Sequence, residues 1–319
     1  MAGCSEFTLI GRYLTGLGAA RADVTLGVGD DAAILQSPAD PWLLSVLDTL
    51  IEDVHFPGDM PAEAVGYRAL AVNLSDIAAM GGQPRWAVVG LTLPAMDEDW
   101  VAGFARGLDA IAQTHEVAVV GGDVTRGPRA VSVQITGTSA VPPIRRDAAC
   151  AGDDVWVSGR LGEAAGGLAV WQAGQQGEPR WTGLVDAFLR PVPRLCLGQA
   201  LQGIAHAAID VSDGLLADAG HIASQSGVAI DLARAALRPS ARLQAFGDTA
   251  QATAWLCSGG DDYALCFTAP VTARSAVAQA AQNARTPVRR IGQVRHGHGV
   301  LLDGVAVGDA HTGYRHFER

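Results

Sequence analysis

The sequence predicts an α+β protein made of two α/β domains. A chain of 319 residues suits two hydrophobic cores better than one. The predicted strands and helices do not alternate strictly, which disfavours a doubly wound parallel sheet. The series of elements also starts again after Pro142-Pro143 and a polar stretch, which is typical of a linker. We therefore place an N-terminal domain at residues 1–143 and a C-terminal domain at residues 144–319.

The N-terminal domain begins with a predicted helix in which Ser5 is the cap and an apolar-periodic stretch runs to Leu14. Further along, apolar residues three and four apart predict helices, and alternating or continuous apolar runs predict strands. The remaining elements are a strand at 42–47, a helix at 62–79, a strand at 86–93, a helix at 98–114, and strands at 117–120 and 131–138.

The C-terminal domain repeats the mixture of strands and helices. We expect strands at 155–158, 207–211, 264–268 and 288–291, and helices at 162–173, 183–189, 194–204, from 215 onwards and at 273–285. The strand that ends at Val211 runs directly into a Ser-Asp-Gly turn and the helix after it. We expect the tryptophans, among them Trp42, Trp86 and Trp156, to lie in the core.

The composition is that of a globular protein, with 49% hydrophobic and 18% charged residues. A formal net charge of −10 argues against nucleic acid or an anionic membrane as the main partner. Every cationic side chain apart from histidine is an arginine. The absence of lysine excludes a P-loop lysine, a protein-kinase strand lysine and a Schiff-base lysine.

The cysteines are odd in number and scattered, without a Cys-x-x-Cys pair; they are Cys4, Cys150, Cys196, Cys257 and Cys266. This pattern favours reduced thiols in a cytosolic protein over a disulfide framework or a zinc site. We see no signal-peptide pattern and no apolar run of about 18–20 residues. We therefore expect a cytoplasmic protein with no membrane partner.

Short acidic motifs, most of them beside glycine, are the most informative feature of the chain. Carboxylates at such positions suit hard cations such as Mg²⁺, which accept oxygen ligands and can also bind phosphate. The pattern therefore indicates a metal-dependent enzyme that acts on phosphates. The motifs contain Asp30 and Asp31 (27–32), Asp48, Asp76 (73–76), Asp123 (121–123), Asp210 and Asp213 (210–214), and Asp261 and Asp262 (259–262).

Each motif alone has a plainer interpretation. The segment 27–32 matches a dinucleotide fingerprint by letters only, because two carboxylates occupy its variable positions, and it could be an acidic surface turn. Asp76 could be a solvent-facing residue of its helix. Asp123, placed at the end of a buried strand, could cap the following turn. His55 could be an ordinary surface or packing residue.

The C-terminal motifs have similar alternatives. Ser212 or Asp213 could be the N-cap of the helix from 215, although the N-terminus of that helix would also favour an anion. Asp210 is harder to explain as a cap because it ends the strand and precedes the cap. Asp261 could cap the turn before the strand at 264. The recurrence of such motifs in both halves argues against coincidence.

On these motifs, and most specifically on Ala-Val-Asn-Leu-Ser-Asp-Ile-Ala-Ala-Met-Gly at 71–81, the chain resembles the superfamily of aminoimidazole ribonucleotide synthetase. Within that superfamily, Asp48-Thr-Leu with His55-Phe56, and Ser-Gly-Gly-Asp-Asp-Tyr at 258–263, resemble the thiamine-monophosphate kinases. The likeness covers nearly the whole chain. It implies ATP-dependent phosphorylation of thiamine monophosphate to thiamine diphosphate, with several Mg²⁺ ions.

The resemblance also implies roles for individual residues. It makes Asp213, Asp31 and Asp76 catalytic and places Asp30 close by. The metal ligands would be Asp31, Val46, Leu47, Asp48, Asp76, Asp123, Asp210 and Asp213. The ATP contacts would be Gly122, Asp123, Arg146 and Ser212, and the thiamine phosphate contacts His55, Asp261 and His311.

The implied architecture has two parts. A mixed sheet in the N-terminal domain would bind metal and ATP and pair with a second copy in a homodimer. The C-terminal α/β sandwich would complete the ATP and substrate sites.

Three positions depart from the family pattern. Val46-Leu47 stands where the family often has Ser-Thr, so metal contacts there would need backbone carbonyls. Asp261 replaces a frequent glutamate and is one methylene shorter. The residue aligned with a substrate-stacking aromatic is His311, or Tyr314 if the register shifts.

The implied chemistry agrees with the residues. An acceptor that is already a phosphate oxyanion needs no general base, so alignment and charge neutralisation can carry phosphoryl transfer. Two alternatives stay open: another ATP-dependent enzyme of the same superfamily, such as the aminoimidazole ribonucleotide synthetase type, and a non-catalytic regulator that binds nucleotide and metal.

Overall fold

The computed structural model describes residues 9–28, 33–37, 42–308 and 313. The chain divides into two units: unit 1 contains residues 1–77 and 83–142, and unit 2 contains residues 78–82 and 143–319. The predicted cap of the first helix, Ser5, lies outside the described residues. The described end of that helix is a short π-helical turn, Ile10–Leu14.

Unit 1 is built on a four-stranded mixed sheet. Its elements are β1 (Val24–Leu26), β2 (Ile34–Leu35), β3 (Trp42–Ile51), α1 (Ala62–Ala79), β4 (Gln83–Leu93), α2 (Glu98–Thr114), β5 (Ala118–Arg126) and β6 (Ala130–Ser139). The strand order is β3-β6-β4-β5, and only β4 and β5 run parallel. Strands β1 and β2 form a separate antiparallel pair.

The outer face of the sheet in unit 1 carries exposed apolar side chains. Along β3, Leu44 and Leu50 are buried, whereas Leu43 and Leu47 are 61% and 63% exposed. This alternation follows from the period of two in a strand. Trp42 is 55% exposed, so the prediction that it lies in the core is wrong.

Two helices of unit 1 approach each other very closely at glycines. A Cβ on Gly66 would lie 2.0 Å from the carbonyl oxygen of Phe104, and one on Gly107 would lie 1.8 Å from that of Glu63. Only glycine allows this contact between α1 and α2. Asp97 caps α2, because its carboxylate accepts a hydrogen bond of 3.0 Å from the N–H of Trp100.

Unit 2 contains a seven-stranded mixed sheet. Its elements are β7 (Asp154–Ser158), α3 (Glu163–Gln172), α4 (Thr182–Leu189), α5 (Leu195–Ala200), β8 (Ala207–Val211), α6 (Leu215–Ser226), β9 (Ala229–Leu232), α7 (Ala241–Phe246), α8 (Thr249–Ser258), β10 (Ala264–Ala269), α9 (Arg274–Asn283), β11 (Val288–Arg295), β12 (Gly299–Leu302) and β13 (Val305–Ala306). The strand order is β13-β12-β9-β11-β7-β10-β8.

The described residues of unit 2 include two apolar clusters. One joins the sheet to α6, through residues such as Ile209, Ile230 and Ile222. The other joins α3, α4, α7 and α8, and includes Val170 and Leu184. The predicted fold class, mixed α and β elements in two domains, is confirmed. Among the described residues, no helix has the length and apolar character needed to cross a bilayer.

Candidate functional site

Two predicted acidic site residues of unit 1, Asp48 and Asp76, lie on β3 and α1, and a buried asparagine links these two elements. Asn73 of α1 accepts a hydrogen bond of 3.0 Å from the backbone N–H of Asp48 on β3. The Asn73 amide also donates to the carbonyl of Ala69, one turn earlier in the helix, at 3.0 Å. Asn73 is fully buried. The position of Asp48 relative to α1 is therefore fixed through its own backbone.

Asp48 and Asp76 place their carboxyl groups in contact. Burial raises the pKa of Asp48 above its usual value, and a hydrogen bond with the Asp76 carboxyl acts in the opposite direction. Two adjacent carboxyl groups need a shared proton or a cation between them when both would otherwise be ionised. The oxygen ligands and their partial burial fit a hard divalent cation such as Mg²⁺.

The backbone beside Asp48 offers a further oxygen ligand. The Asp48 N–H is directed to Asn73 and not to β6. In an antiparallel strand, the N–H and the carbonyl of one residue point to the same side, and this side alternates along the strand. The carbonyls of Asp48 and Val46 therefore both point away from β6. By the same alternation, the Leu47 carbonyl faces β6. Of the two backbone ligands expected here, Val46 is thus better placed than Leu47.

The Gly121-Gly122-Asp123 segment lies within a strand, and the expectation that Asp123 ends its strand is wrong. Strand β5 continues to Arg126, and Asp123 is paired with Gly90 of β4 and is exposed. A Cβ on Gly122 would lie 2.0 Å from the carbonyl oxygen of Val89. Glycine is therefore required at position 122 by the close approach of β4.

His55 is held in a tight turn after β3. Its Nδ1 accepts a hydrogen bond of 3.0 Å from the N–H of Ile51, and its own N–H donates to the Ile51 carbonyl at 2.8 Å. Since Nδ1 accepts, the proton of the neutral ring is on Nε2. His55 is half-buried.

In unit 2, three consecutive N–H groups of the turn after β8 converge on one carboxylate oxygen. Oδ2 of Asp218 accepts from the N–H groups of Ser212, Asp213 and Gly214 at 3.1, 3.2 and 3.1 Å. The sequence analysis predicted that the N-terminus of this helix would favour an anion. In the structure, these three N–H groups donate to the carboxylate of Asp218. The N-cap of α6 is Gly214, without a side-chain cap, so neither Ser212 nor Asp213 serves as one.

Asp218 belongs to a compact acidic cluster. Desolvation raises its pKa to about 8, with the charges of Asp210 and Asp213 adding to the effect. Ligand atoms of Asp213, Asp218 and His221 all lie within 4.8 Å of one another. Asp210, at the end of β8, is 5% exposed. Several carboxylates in so little space again fit a divalent cation better than an arrangement without one.

The Gly-Gly-Asp-Asp turn is hydrogen-bonded to the turn after β8. The N–H of Asp261 donates to the Ser212 carbonyl at 2.7 Å, and that of Tyr263 to the Val211 carbonyl at 2.9 Å. Asp261 and Tyr263 have left-handed backbones, with φ of 63° and 49°. Such conformations cost about 1–3 kcal/mol each and persist where the surroundings impose them.

Asp262, and not Asp261, caps a helix. Its carboxylate oxygens accept from the N–H groups of Gly162 at 2.7 Å and Ala164 at 3.4 Å, at the N-terminus of α3. Desolvation raises the pKa of Asp262 to about 8, against the effect of these two hydrogen bonds. These contacts make Asp262 the residue of this turn that binds the N-terminus of α3.

Of the remaining predicted site residues, Arg146 and Ser212 lie in the described part of the chain and the others lie outside it. Arg146 is half-buried in unit 2, and its carbonyl accepts from the Ser226 hydroxyl at 2.9 Å. Ser212 is adjacent to Asp213 in the turn after β8. The other predicted positions, Asp30, Asp31, His311 and Tyr314, lie outside the described residues.

The structural roles of three polar residues near these positions were not predicted. Asn73 belongs to the recognised motif at 71–81, but its hydrogen bond with Asp48 depends on tertiary structure. Asp218 resembles an ordinary acidic residue in the first turn of a helix. Asp262 belongs to a recognised motif, but the helix that it caps is 100 residues away in sequence. A polar residue in an otherwise apolar stretch was the available signal in the first two cases.

Comparisons with known proteins agree with these motifs. Residues 29–141 match the family model described as AIR synthase related protein, N-terminal domain, and residues 151–303 match that of the C-terminal domain. A thiamine-monophosphate kinase of Salmonella typhimurium is 41% identical over 320 residues, covering 98% of each chain.

Solved structures show the same relationship. The crystal structure of a thiamine-monophosphate kinase from Stenotrophomonas maltophilia superposes with a TM-score of 0.86 and 44% identity, covering 94% of this chain and 95% of that one. A structure described as AaThiL complexed with AMPPCP and TMP superposes with a TM-score of 0.79 and 33% identity, covering 88% and 89%.

Proposed function

Because this chain belongs to the AIR synthase related protein family, and within it to the thiamine-monophosphate kinases, we propose that it transfers the γ-phosphoryl group of ATP to thiamine monophosphate. The product is thiamine diphosphate. The observation that best supports this activity is the paired carboxyl groups of Asp48 and Asp76, set on two elements that Asn73 fixes to each other. Such a pair suits the cation-dependent binding of a polyphosphate.

The transfer needs little acid–base chemistry from the protein. The terminal oxygen of the acceptor phosphate is already an anion at neutral pH, so it can attack the γ-phosphorus without a general base. The bond from the γ-phosphorus to the bridging oxygen breaks, and ADP leaves. The work of the protein is to align the two phosphates and to offset their charge.

We assign Mg²⁺ to the acidic residues of both units. In unit 1, Asp48, Asp76 and the Val46 carbonyl would hold it; in unit 2, Asp210 and Asp213 would do so. Bound Mg²⁺ would neutralise the transferring phosphates and orient them. Asp123 and Asp31 remain proposed ligands, the first on an exposed position of β5.

The remaining contacts with ATP and thiamine monophosphate are assigned by the chemical group that each residue presents. At Gly122, which has no side chain, ATP could approach the backbone closely. Arg146 would supply a guanidinium and Ser212 a hydroxyl for ATP. His55 offers Nε2–H to the acceptor phosphate, and Asp261 offers a carboxylate to the cationic thiazolium. His311 completes this proposal as a contact of the thiamine ring.

We also propose that the enzyme is a homodimer. The outer face of the sheet in unit 1 exposes Leu43 and Leu47, each more than half accessible. Contiguous apolar surface of this kind is typical of an interface. A second copy of the same sheet is the simplest partner, because a two-fold interface requires only a self-complementary surface.

The activity is tested with the purified full-length chain, ATP and Mg²⁺. Three acceptor conditions are compared: thiamine monophosphate, free thiamine and no acceptor. We expect stoichiometric ADP and thiamine diphosphate with the monophosphate alone. ADP formation that does not depend on thiamine monophosphate would contradict the assignment and favour a different enzyme of the family.

A further inference from the structure

A second group of metal-ligand side chains lies in unit 2, apart from the proposed catalytic residues. It consists of Cys150, Asp153 and His206, which we call the Cys150 cluster. A thiol sulfur, a carboxylate oxygen and an imidazole nitrogen of these residues all lie within 4.8 Å of one another. Three different ligand types therefore converge at one point.

The topology of the sheet explains why these residues meet. Asp153 immediately precedes β7, and His206 immediately precedes β8. Both strands pair antiparallel with β10, so they run in the same direction and begin at the same edge of the sheet. Asp210 lies near the other end of β8, and the turn that follows it lies beyond. Five residues of strand span about 16 Å, which separates the Cys150 cluster from the acidic cluster around Asp213.

Hydrogen bonds already orient two of the three ligands. Nδ1 of His206 lies 2.9 and 3.0 Å from the two oxygens of Asp153. Oδ2 of Asp153 also accepts from the backbone N–H of Cys150 at 3.0 Å, and the N–H of Asp153 donates to the Cys150 carbonyl at 3.0 Å. Carboxylates that bind metal are often oriented by such backbone donors.

The Cys150 cluster lies at the surface: Cys150 and His206 are exposed, and Asp153 is buried beneath them. The Asp153 residue is 3% exposed, whereas Cys150 is exposed and the His206 side chain is 40% exposed. A cation could therefore enter from solvent and be held from below by a desolvated carboxylate. An open fourth position would be filled by water.

The nitrogen–oxygen spacing is close to that around a tetrahedral ion, and the sulfur lies within 4.8 Å of both other ligand atoms. Ligand atoms around Zn²⁺ lie about 3.3 Å apart for a nitrogen–oxygen pair and about 3.6 Å for a sulfur–nitrogen pair, given bonds of about 2.0–2.3 Å. Binding would release the proton of the His206–Asp153 hydrogen bond and the thiol proton of Cys150, and the His206–Asp153 contact would open by a few tenths of an ångström. A thiolate selects Zn²⁺ over Mg²⁺, which prefers oxygen ligands.

We propose that Cys150, Asp153 and His206 form a binding site for a divalent cation of the Zn²⁺ class, separate from the proposed Mg²⁺ ligands. The cysteine pattern did not predict this site, because two of its ligands are not cysteines and His206 is distant in sequence. The ion would cross-link the segment before β7 to the start of β8.

Site-resolved alkylation tests the proposal in the wild-type protein. The full-length chain is freed of metal and treated with a maleimide, with and without Zn²⁺, and each cysteine is followed by mass spectrometry. Cys196 is an exposed free thiol on α5 and serves as the internal control. We expect Zn²⁺ to slow modification of Cys150 at least tenfold and to leave Cys196 unchanged. Equal rates at Cys150 with and without Zn²⁺ would overturn the proposal.

A spectroscopic measurement provides the second test. Co²⁺ bound through a thiolate gives a sulfur-to-metal charge-transfer band in the near ultraviolet, which oxygen ligands at the acidic clusters do not give. We expect this band in the wild type and in Cys196→Ser, and its loss in Cys150→Ser. Substitution of His206→Ala should weaken Co²⁺ binding at least tenfold. A band that persists in Cys150→Ser would show that the cluster is not the site.

Discussion

The carboxyl groups of Asp48 and Asp76 are hydrogen-bonded to each other, although one lies on β3 and the other on α1. Asn73, on the same helix as Asp76, holds the backbone of Asp48. The pair is therefore preorganised by the fold before any cation binds. This arrangement makes Asp76 the most direct position at which to test the proposed metal chemistry.

Asp76→Asn should lower kcat at least about 100-fold, corresponding to about 2.7 kcal/mol in the barrier. The change keeps the volume of the side chain and removes one ligand charge. It also removes a carboxyl–carboxyl contact, so the Tm without metal should stay the same or rise. The Tm increase on adding Mg²⁺ should shrink.

Asp99→Asn is the matched control for this variant, because Asp99 is an exposed acidic residue in the first turn of α2. It should leave both the activity and the Mg²⁺-dependent change in Tm intact. Activity of Asp76→Asn within about threefold of the wild type would show that Asp76 does not bind the metal.

Removal of divalent cations should abolish turnover. In either unit, phosphate groups placed beside the proposed carboxylate ligands would be repelled by them unless cations lie between. We expect less than about 1% of the activity in excess chelator and full recovery with Mg²⁺ or Mn²⁺. The readout is thiamine diphosphate formation, and undiminished turnover in chelator would refute the metal assignment.

Adjacent residues of one turn should give opposite phenotypes. Asp261→Asn removes the charge proposed to face the thiazolium, and asparagine tolerates the left-handed backbone at this position. We expect KM for thiamine monophosphate to rise about ten- to a hundredfold, the effect of losing a charge-assisted contact, with Tm unchanged. The KM for ATP should change little.

Asp262→Ala provides the comparison. It removes the acceptors for the N–H groups of Gly162 and Ala164, so Tm should fall by several degrees, consistent with a loss of about 1–3 kcal/mol. The variant should keep its KM for thiamine monophosphate. A lower Tm in Asp261→Asn with an unchanged KM would instead make Asp261 a structural residue.

Asp23 should make the stability of unit 1 sensitive to acid. Its carboxylate binds Arg21 at 2.7 and 2.9 Å, Arg85 at 3.0 Å and the indole N–H of Trp86 at 3.2 Å. These contacts, with the Arg21 hydrogen bond the largest, lower the pKa of Asp23 from 3.8 to about 2. A depressed folded-state pKa stabilises the fold above the unfolded-state value and loses this effect as the pH falls towards 2.

Asp23→Asn should therefore reduce the free energy of unfolding by about 1–2 kcal/mol at pH 7, less than the full shift implies because the side chain is partly accessible. The difference between variant and wild type should narrow between pH 4 and pH 2. Urea denaturation of both proteins at several pH values measures this difference in the free energy of unfolding. A difference that does not depend on pH would show that the carboxylate charge is not the cause.

The exposed face of β3 should control the oligomeric state. Leu47→Glu places a charge on a side chain that is 63% exposed, and light scattering should shift from dimer to monomer mass. Val192→Glu is the control in unit 2, where the native side chain is 51% exposed. A monomeric wild type at micromolar concentration with full activity would contradict the proposed dimer.

Much of the fold follows from local patterns in the sequence. The spacing of apolar residues in 62–79 and 98–114 predicted α1 and α2 with their observed bounds. Short elements were missed because their stability comes from tertiary packing, as in α7 and α8, whose caps Ser240 and Asp248 were the available signals. Trp42 was misplaced because it is the first residue of β3 and is exposed there, although it has the alternation of the buried Leu44.

The candidate site was predictable only at the level of residue type. Short acidic motifs indicated cation binding at Asp48, Asp76 and Asp210, but the partners of these residues depend on the fold. The Gly121-Gly122 pair suggested the end of a strand, whereas it permits close packing against β4 within a longer one. Asp218 was missed because three-dimensional structure alone brings its carboxylate to the turn after β8.

The hydrogen bonds from Asp261 and Tyr263 to the carbonyls of Ser212 and Val211 join two turns that are separate in sequence. An insertion or deletion in either turn would break the register of both bonds at once. Over evolutionary time, the segments 210–214 and 259–263 should therefore keep their lengths together. A family member that acquires a different acceptor should do so by exchanging side chains on this paired frame, with compensating changes appearing in both segments.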